Sequence, residues 1–166
     1  MRKQYSVDGQ TSIITGSSQG IGAITAKRFA DESADVVVTS RSQDQTDLDA
    51  REINESDRSG RAIAVDCDVR NRDEVEALVD ACLQQFGSLD TIVNNASASF
   101  MAGFNNISPN GWETIVDINL HGTYHCSQVA GAAMQEFGGG SIIKFSSVAG
   151  IQPAAFMEPA PAPHRA

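Results

Sequence analysis

The sequence predicts a doubly wound α/β sheet of about five parallel strands, and three observations carry that expectation. Short, nearly continuous β-branched runs alternate with amphipathic helical patterns at intervals of roughly 20–30 residues. A strand that is apolar at consecutive positions has to be covered on both faces, which helices on either side of a parallel sheet supply. Parallel neighbours need crossovers, so strand–helix–strand repetition reads as βαβ units with right-handed connections. The 166 residues suffice for one domain with a real core, and 41% hydrophobic with 20% charged residues is ordinary globular usage.

The strands are expected at Ser12–Thr15, Asp35–Thr39, Ala62–Val65, Thr91–Val93 and Ser141–Phe145, with four main helices between them. The first helix follows a glycine-rich turn and contains Ile24 and Phe29. The clearest helix places Val75, Leu78, Val79, Cys82, Leu83 and Phe86 on one face. Asn71 is its expected cap, with Glu74 at the third helical position, and Gly87 its stop. A long helix opens with Ser108 as cap and Pro109 in the first turn, presents Trp112, Ile115 and Val116, and stops at Gly138-Gly139-Gly140. Four of the chain's five prolines fall in residues 151–166. Proline fixes φ and removes a donor, so residues 1–150 read as the domain and 151–166 as an irregular Pro/Ala-rich tail.

Charge narrows the function classes. With 12 Lys+Arg against 21 Asp+Glu the net charge is −9, which argues against a nucleic-acid partner. No segment approaches the ~20 apolar residues of a membrane span, and Arg2 and Lys3 lead into no apolar signal stretch. Cys67, Cys82 and Cys126 form no CxxC pair and are odd in number, as buried thiols in a reducing cytoplasm would be.

The chemistry begins after the first strand, at Thr15-Gly16-Ser17-Ser18-Gln19-Gly20-Ile21-Gly22. Glycines at a strand-to-helix turn let a pyrophosphate approach the helix N-terminus, where free N–H groups and the helix dipole favour negative charge. Gly16, Ser17, Ser18, Gly20, Ile21 and Gly22 are therefore the candidate phosphate-binding residues. The G-x-x-x-G-x-G spacing differs from the commoner G-x-G-x-x-G fingerprint, and a plain glycine-rich turn is the bland alternative. The second strand runs into Thr39-Ser40-Arg41, with no acid before Asp44. An acid there would bind the ribose hydroxyls of NAD, whereas an arginine accommodates the 2′-phosphate of NADP. NADP is thus expected in preference to NAD, with a solvent-facing loop arginine as the other reading of Arg41.

Three further motifs complete a pattern: Asn94-Asn95-Ala96-Ser97 after the fourth strand, Asn119-Leu120-His121-Gly122 in the long helix, and Ser146-Ser147-Val148-Ala149-Gly150 after the fifth. With Thr15–Gly22 and Asp68-Val69, in that order over residues 10 to 150, the chain resembles the short-chain dehydrogenase/reductase family. The resemblance implies a Rossmann fold, a nicotinamide cofactor, and hydride transfer between NADP(H) and a small alcohol or ketone. By the same resemblance Asp68 and Val69 edge the adenine pocket, and Asn95 and Ala96 line the cofactor cleft. Asn119 helps hold a proton-relay water through its backbone, and Ser147 hydrogen-bonds the substrate oxygen, with Ser146 as the lesser candidate. Ser97 stands where the family has glycine, a departure expected to cost some backbone freedom.

The family's general acid/base is a tyrosine about thirteen residues after that serine, followed four residues later by a lysine. Here those places hold Ala160 and His164; the chain's two tyrosines are Tyr5 and Tyr124, and no lysine follows Lys144. Tyr124 lies five residues after Asn119, about 140° round a helix of 3.6 residues per turn, and is expected to face elsewhere. Asp117, His121 and His125 share a helical spacing that zinc sites use, yet they sit in an ordinary family helix, and no metal is expected. The family fold would continue to a sixth and a seventh strand. The expectation is a truncated or frame-altered oxidoreductase with an incomplete sheet, its fifth strand an apolar edge prone to self-association. A non-catalytic nucleotide-binding or interaction module, or a nonfunctional fragment, is the alternative.

Overall fold

A computed structural model describes residues 6–99 and 102–147. The strands are β1 (Thr11–Thr15), β2 (Asp35–Ser40), β3 (Ala62–Asp66), β4 (Thr91–Asn94) and β5 (Ser141–Lys144). They form one sheet in the order β3-β2-β1-β4-β5, and every neighbouring pair is parallel. The helices are α1 (Gly20–Asp31), α2 (Gln43–Asn54), α3 (Arg72–Phe86), α4 (Pro109–Val116) and α5 (Thr123–Glu136). The expected doubly wound α/β sheet is the observed one.

Strand pleating explains the consecutive apolar residues. Ile13, Val37 and Ile92 point to one face, where Val75, Leu78 and Cys82 of α3 and Cys126, Ala130 and Met134 of α5 cover them. Ile14, Val36, Val38 and Val93 point to the other face, against Ala26 and Ala30 of α1 and Ala50 and Ile53 of α2. Val36, Val37 and Val38 are all fully buried, so a three-residue run serves both halves of the core. Each such side chain stabilises the fold by about 1.5–3 kcal/mol relative to an exposed one.

The caps follow the sequence with one difference. Asn71 Oδ1 accepts from the Asp73 N–H at 3.1 Å, and Gly87 ends α3 at φ +83°. Glu74 does not close a box onto Asn71's own amide; its Oε2 accepts from the Asp68 N–H at 2.7 Å and its Oε1 from Asn71 Nδ2 at 2.8 Å. The cap therefore ties the helix to the turn that follows β3. At α4, Ser108 Oγ accepts from the Gly111 N–H at 3.0 Å.

The long helix differs from expectation in its phase. Between α4 and α5, Asp117–Gly122 form a π-helical turn, so the 3.6-residue period breaks at the motif around Asn119. The 140° placement of Tyr124 does not apply across it. Two contacts accompany the wider turn. Asn119 Oδ1 accepts from the Ala98 N–H and its Nδ2 donates to the Ala98 carbonyl, both at 2.9 Å. Gly122 packs so closely on Val69 that a Cβ there would lie 2.6 Å from Val69 Cγ2.

At the sheet edge, all four residues of β5 are exposed, and Ile142 and Ile143 each retain 42% of their surface. Among the described residues no strand pairs with its outer side. The Pro/Ala-rich residues 151–166, with Ala160 and His164, lie outside the described residues, as does Tyr5.

Candidate functional site

Chain order reverses direction at β1: β2 and β3 are laid down on one side of it, β4 and β5 on the other. Where neighbouring strands lead away in opposite directions, a crevice opens at their carboxyl ends. Here it is a cleft of about 570 Å³.

Its floor is the turn after β1. Gly16 has φ +65°, and a Cβ on it would come within 2.8 Å of Ala96 Cα, so this position excludes any side chain on two counts. The chain then enters α1, whose cap residue Gln19 makes no side-chain cap bond and whose first turn holds no acid. This helix start, whose Gly20 and Ile21 line the cleft, has neither a side-chain cap bond nor an acid, in contrast to the capped α3, which carries Asp73 and Glu74 in its first turn.

Two braces hold the turn in place. Ser17 is buried and does not line the cleft; its Oγ accepts from the Thr39 N–H at 2.8 Å, and its N–H donates to the Thr39 carbonyl at 3.0 Å. From the other side, Asn95 Nδ2 donates to the carbonyls of Thr15 and Gly16 at 2.9 and 3.0 Å. Thr15 Oγ1 accepts from the N–H groups of Asn95 and Ala96, each at 3.0 Å. Gly22 also lies behind the wall, where a Cβ would sit 2.5 Å from both Asn95 Nδ2 and the Gly16 carbonyl oxygen. Ser17 and Gly22 thus build the turn, while Gly16, Ser18, Gly20 and Ile21 present it.

The remaining walls come from three strand ends. Thr39, Ser40, Arg41 and Ser42 follow β2; Cys67, Asp68 and Val69 follow β3; Asn95, Ala96 and Ser97 follow β4. Among the described lining residues Arg41 and Asp68 are the charged ones. The hydrogen bond from Arg70 holds the Asp68 carboxyl below its usual range against the opposing effect of burial, so Asp68 is an anion already matched by a cation. Burial pushes the Cys67 thiol up to about 12, so this wall carries no thiolate nucleophile at neutral pH. Ser97 is not strained by replacing a glycine: among the described non-glycine residues only Ser33 has a positive φ, 67°.

The proton-handling candidates stand apart from this cleft. Asn119 neighbours the lining residue Ile118, but its side chain is engaged with Ala98, and its carbonyl accepts from Thr123 Oγ1 at 2.8 Å. Ser147, the last described residue, is exposed beyond β5 and does not line the cleft; nor does Tyr124. Asn94 donates through Nδ2 to Ser127 Oγ at 3.2 Å and so brackets β4 to α5. His121 Nδ1 pairs with Asp117 Oδ1 at 3.0 Å, and His125 Nδ1 lies 3.2 Å from the Val69 carbonyl oxygen. Among the described residues no three His, Cys, Asp or Glu side chains form a group that could hold a metal. Sequence reading missed Gln19, Ser42, Cys67 and Ile118. Gln19 lies within the glycine-rich motif and Cys67 adjoins Asp68-Val69, so both were legible; Ile118 lies in the π turn.

A family model described as short chain dehydrogenase matches residues 10–159. The chain belongs to the short-chain dehydrogenase family. The short-chain reductase protein NovJ of Streptomyces niveus is 37% identical over 138 residues, which are 83% of this chain and 52% of that protein. The 3-oxoacyl-[acyl-carrier-protein] reductase of Synechocystis sp. is 34% identical over 142 residues, 86% of this chain and 57% of its own length. A crystal structure of a short-chain type dehydrogenase/reductase from Mycobacterium marinum superposes with a TM-score of 0.85 at 30% identity, covering 90% of this chain and 60% of that one. This short-chain dehydrogenase sequence spans about half the length of the curated relatives it matches. No helix among the described residues is long and apolar enough to cross a membrane.

Proposed function

We propose that this chain binds a nicotinamide dinucleotide, NADP in preference to NAD, in the cleft at the carboxyl ends of β1, β2 and β4. The observation that carries this reading is the start of α1: without a side-chain cap, free of acids in its first turn, and reached through Gly16, whose positive φ and close approach to Ala96 leave no room for a side chain. Such an end favours a diphosphate, and the residues present fit one. Gly16, Ser18, Gly20 and Ile21 would hold the diphosphate, Asp68 and Val69 the adenine edge, and Asn95 and Ala96 the far wall. When bound, the nicotinamide supplies or accepts a hydride.

Arg41 supports the choice between cofactors. It is the lining cation, between the hydroxyl-bearing Ser40 and Ser42, and no acid stands at the ribose position. NADPH is expected to bind more tightly than NADH in a titration of the full chain. Arg41→Ala should weaken NADPH by about tenfold or more, the worth of a charge-assisted hydrogen bond, and leave NADH nearly unchanged. Equal affinities, or indifference to the substitution, would overturn the assignment.

The chemistry we infer is that of a short-chain oxidoreductase acting on a small alcohol or ketone, impaired in this 166-residue chain. Ser147 would hydrogen-bond the substrate oxygen, and the Asn119 carbonyl, which already takes one bond from Thr123, would offer its second lone pair to a relay water. A second reading, a nucleotide-binding module without turnover, is favoured by one fact: no Tyr-x-x-x-Lys pair occurs in this sequence. Three buried, unpaired cysteines are in keeping with a reducing cytoplasm. Among the described residues no strand covers the outer side of β5, and the exposure of Ile142, Ile143 and Phe145 there supports self-association. Sedimentation of the chain at micromolar concentration should show dimers or larger species; a clean monomer would count against this.

A further inference from the structure

We infer that His125 is a positioning residue for the adenine edge of the cleft, acting through the Val69 carbonyl; this rests on the dinucleotide reading above. The turn after β3 has its polar backbone groups assigned from nearby. The Cys67 N–H donates to the Ser40 carbonyl at 2.9 Å, and the Asp68 N–H to Glu74 at 2.7 Å. The Arg70 N–H donates to Asp68 Oδ1 at 3.1 Å, and the Asn71 N–H to the Asp68 carbonyl at 2.8 Å. These bonds come from β2, from α3 or from the turn itself. Val69 differs: its carbonyl faces His125 Nδ1 at 3.2 Å, from α5, 56 residues along the chain.

The π turn that leads directly into α5 meets Val69 a second time. Gly122, nearly one turn before His125, touches the Val69 side chain so closely that no Cβ fits between them. Val69 is 7% exposed, yet it lines the cleft. The π turn and the first turn of α5 thereby fix both ends of one residue of the cleft wall, its side chain through Gly122 and its peptide plane through His125. A carbonyl accepts and cannot donate, so a hydrogen bond at this contact requires the proton on Nδ1. The ring of Tyr124 lies beside it, 5.8 Å between centroids and tilted by 59°. Without the Nδ1–H donor the partly buried carbonyl would turn to find another, and the adenine edge would turn with it.

The test uses the full chain and two substitutions. His125→Leu removes the donor and keeps the bulk, whereas His125→Asn places an amide N–H at the same distance from the backbone as Nδ1. NADPH and adenosine 2′,5′-bisphosphate should bind His125→Leu about five- to tenfold more weakly, as expected for one unsatisfied partner. His125→Asn should restore affinity to within about twofold of the parent, a rescue that loss of packing alone would not produce. Long-range ¹⁵N–¹H NMR of the unsubstituted protein should show the proton on Nδ1 of His125, a readout that survives if the leucine variant fails to fold. A proton on Nε2, unaltered affinity in His125→Leu, or an asparagine variant as weak as the leucine one would overturn the assignment. Failure of the unsubstituted chain to bind NADPH would instead remove the dinucleotide reading, and this inference with it.

Discussion

Gly22→Ala should destabilise the protein and empty the cleft in one step. The added methyl would lie 2.5 Å from the Gly16 carbonyl oxygen and from Asn95 Nδ2, and 2.9 Å from Ser17 Cα. Two of those three atoms are backbone, so no side-chain rotation relieves the contact. Overpacking of this kind costs about 1–3 kcal/mol, which for a chain of this size lowers Tm by roughly 5 °C. The displaced atoms are those of the turn and of the Asn95 brace, so affinity for NADPH should fall more than about tenfold at the same time, since 1.4 kcal/mol suffices for that. Gly131→Ala is the contrast. A Cβ there meets only Ile142 Cδ1, at 3.6 Å, an ordinary contact, and alanine in the middle of α5 should stabilise by about 0.5–1 kcal/mol. Thermal melts and NADPH titrations of the two variants decide the matter. A Gly22→Ala protein that melts and binds like its parent would show that the close approach is not what shapes the turn.

The second large effect concerns turnover. Hydride delivery to a ketone carbon leaves charge on the oxygen, and that oxygen needs a proton from a positioned acid. The sequence has tyrosine only at positions 5 and 124 and lysine no later than 144, and Tyr124 does not line the cleft. Positioned acid–base groups are typically worth 10²–10⁴-fold in rate. The chain should therefore bind NADPH and show no measurable oxidation of it in the presence of simple aliphatic, cyclic or β-keto carbonyl compounds, followed by the loss of absorbance of the reduced nicotinamide. Sustained, substrate-dependent oxidation would mean that another group supplies the proton.

What could be read from the sequence divides along a physical line. The strands were legible because burial on both faces leaves a mark at every position: Val36, Val37 and Val38 have no polar alternative. Their ends shift by a residue or so, as at Asp66 and Asn94, where hydrogen bonding continues past the last apolar side chain. The α3 cap and stop were legible because Asn71 and Gly87 act locally. The long helix was not, because a π turn changes the residues per turn without changing composition. At the site, motif order marked the segments but not the direction of each side chain. Ser17 reads as a phosphate ligand in the sequence, and only the folded chain turns its hydroxyl onto Thr39. Asn95 reads as a cleft wall, and folding makes it also the brace beneath Gly16.

The braces on the glycine turn reach only to Thr39 on one side and to Asn95 on the other. The bracing of the proposed diphosphate site is therefore contained between β1 and the residues just after β4. On the proposed reading of binding without turnover, the chain withdraws at most one coenzyme molecule per copy. Its influence on a cellular pool would then scale with its abundance and not with elapsed time, the behaviour of a buffer and not of a consumer.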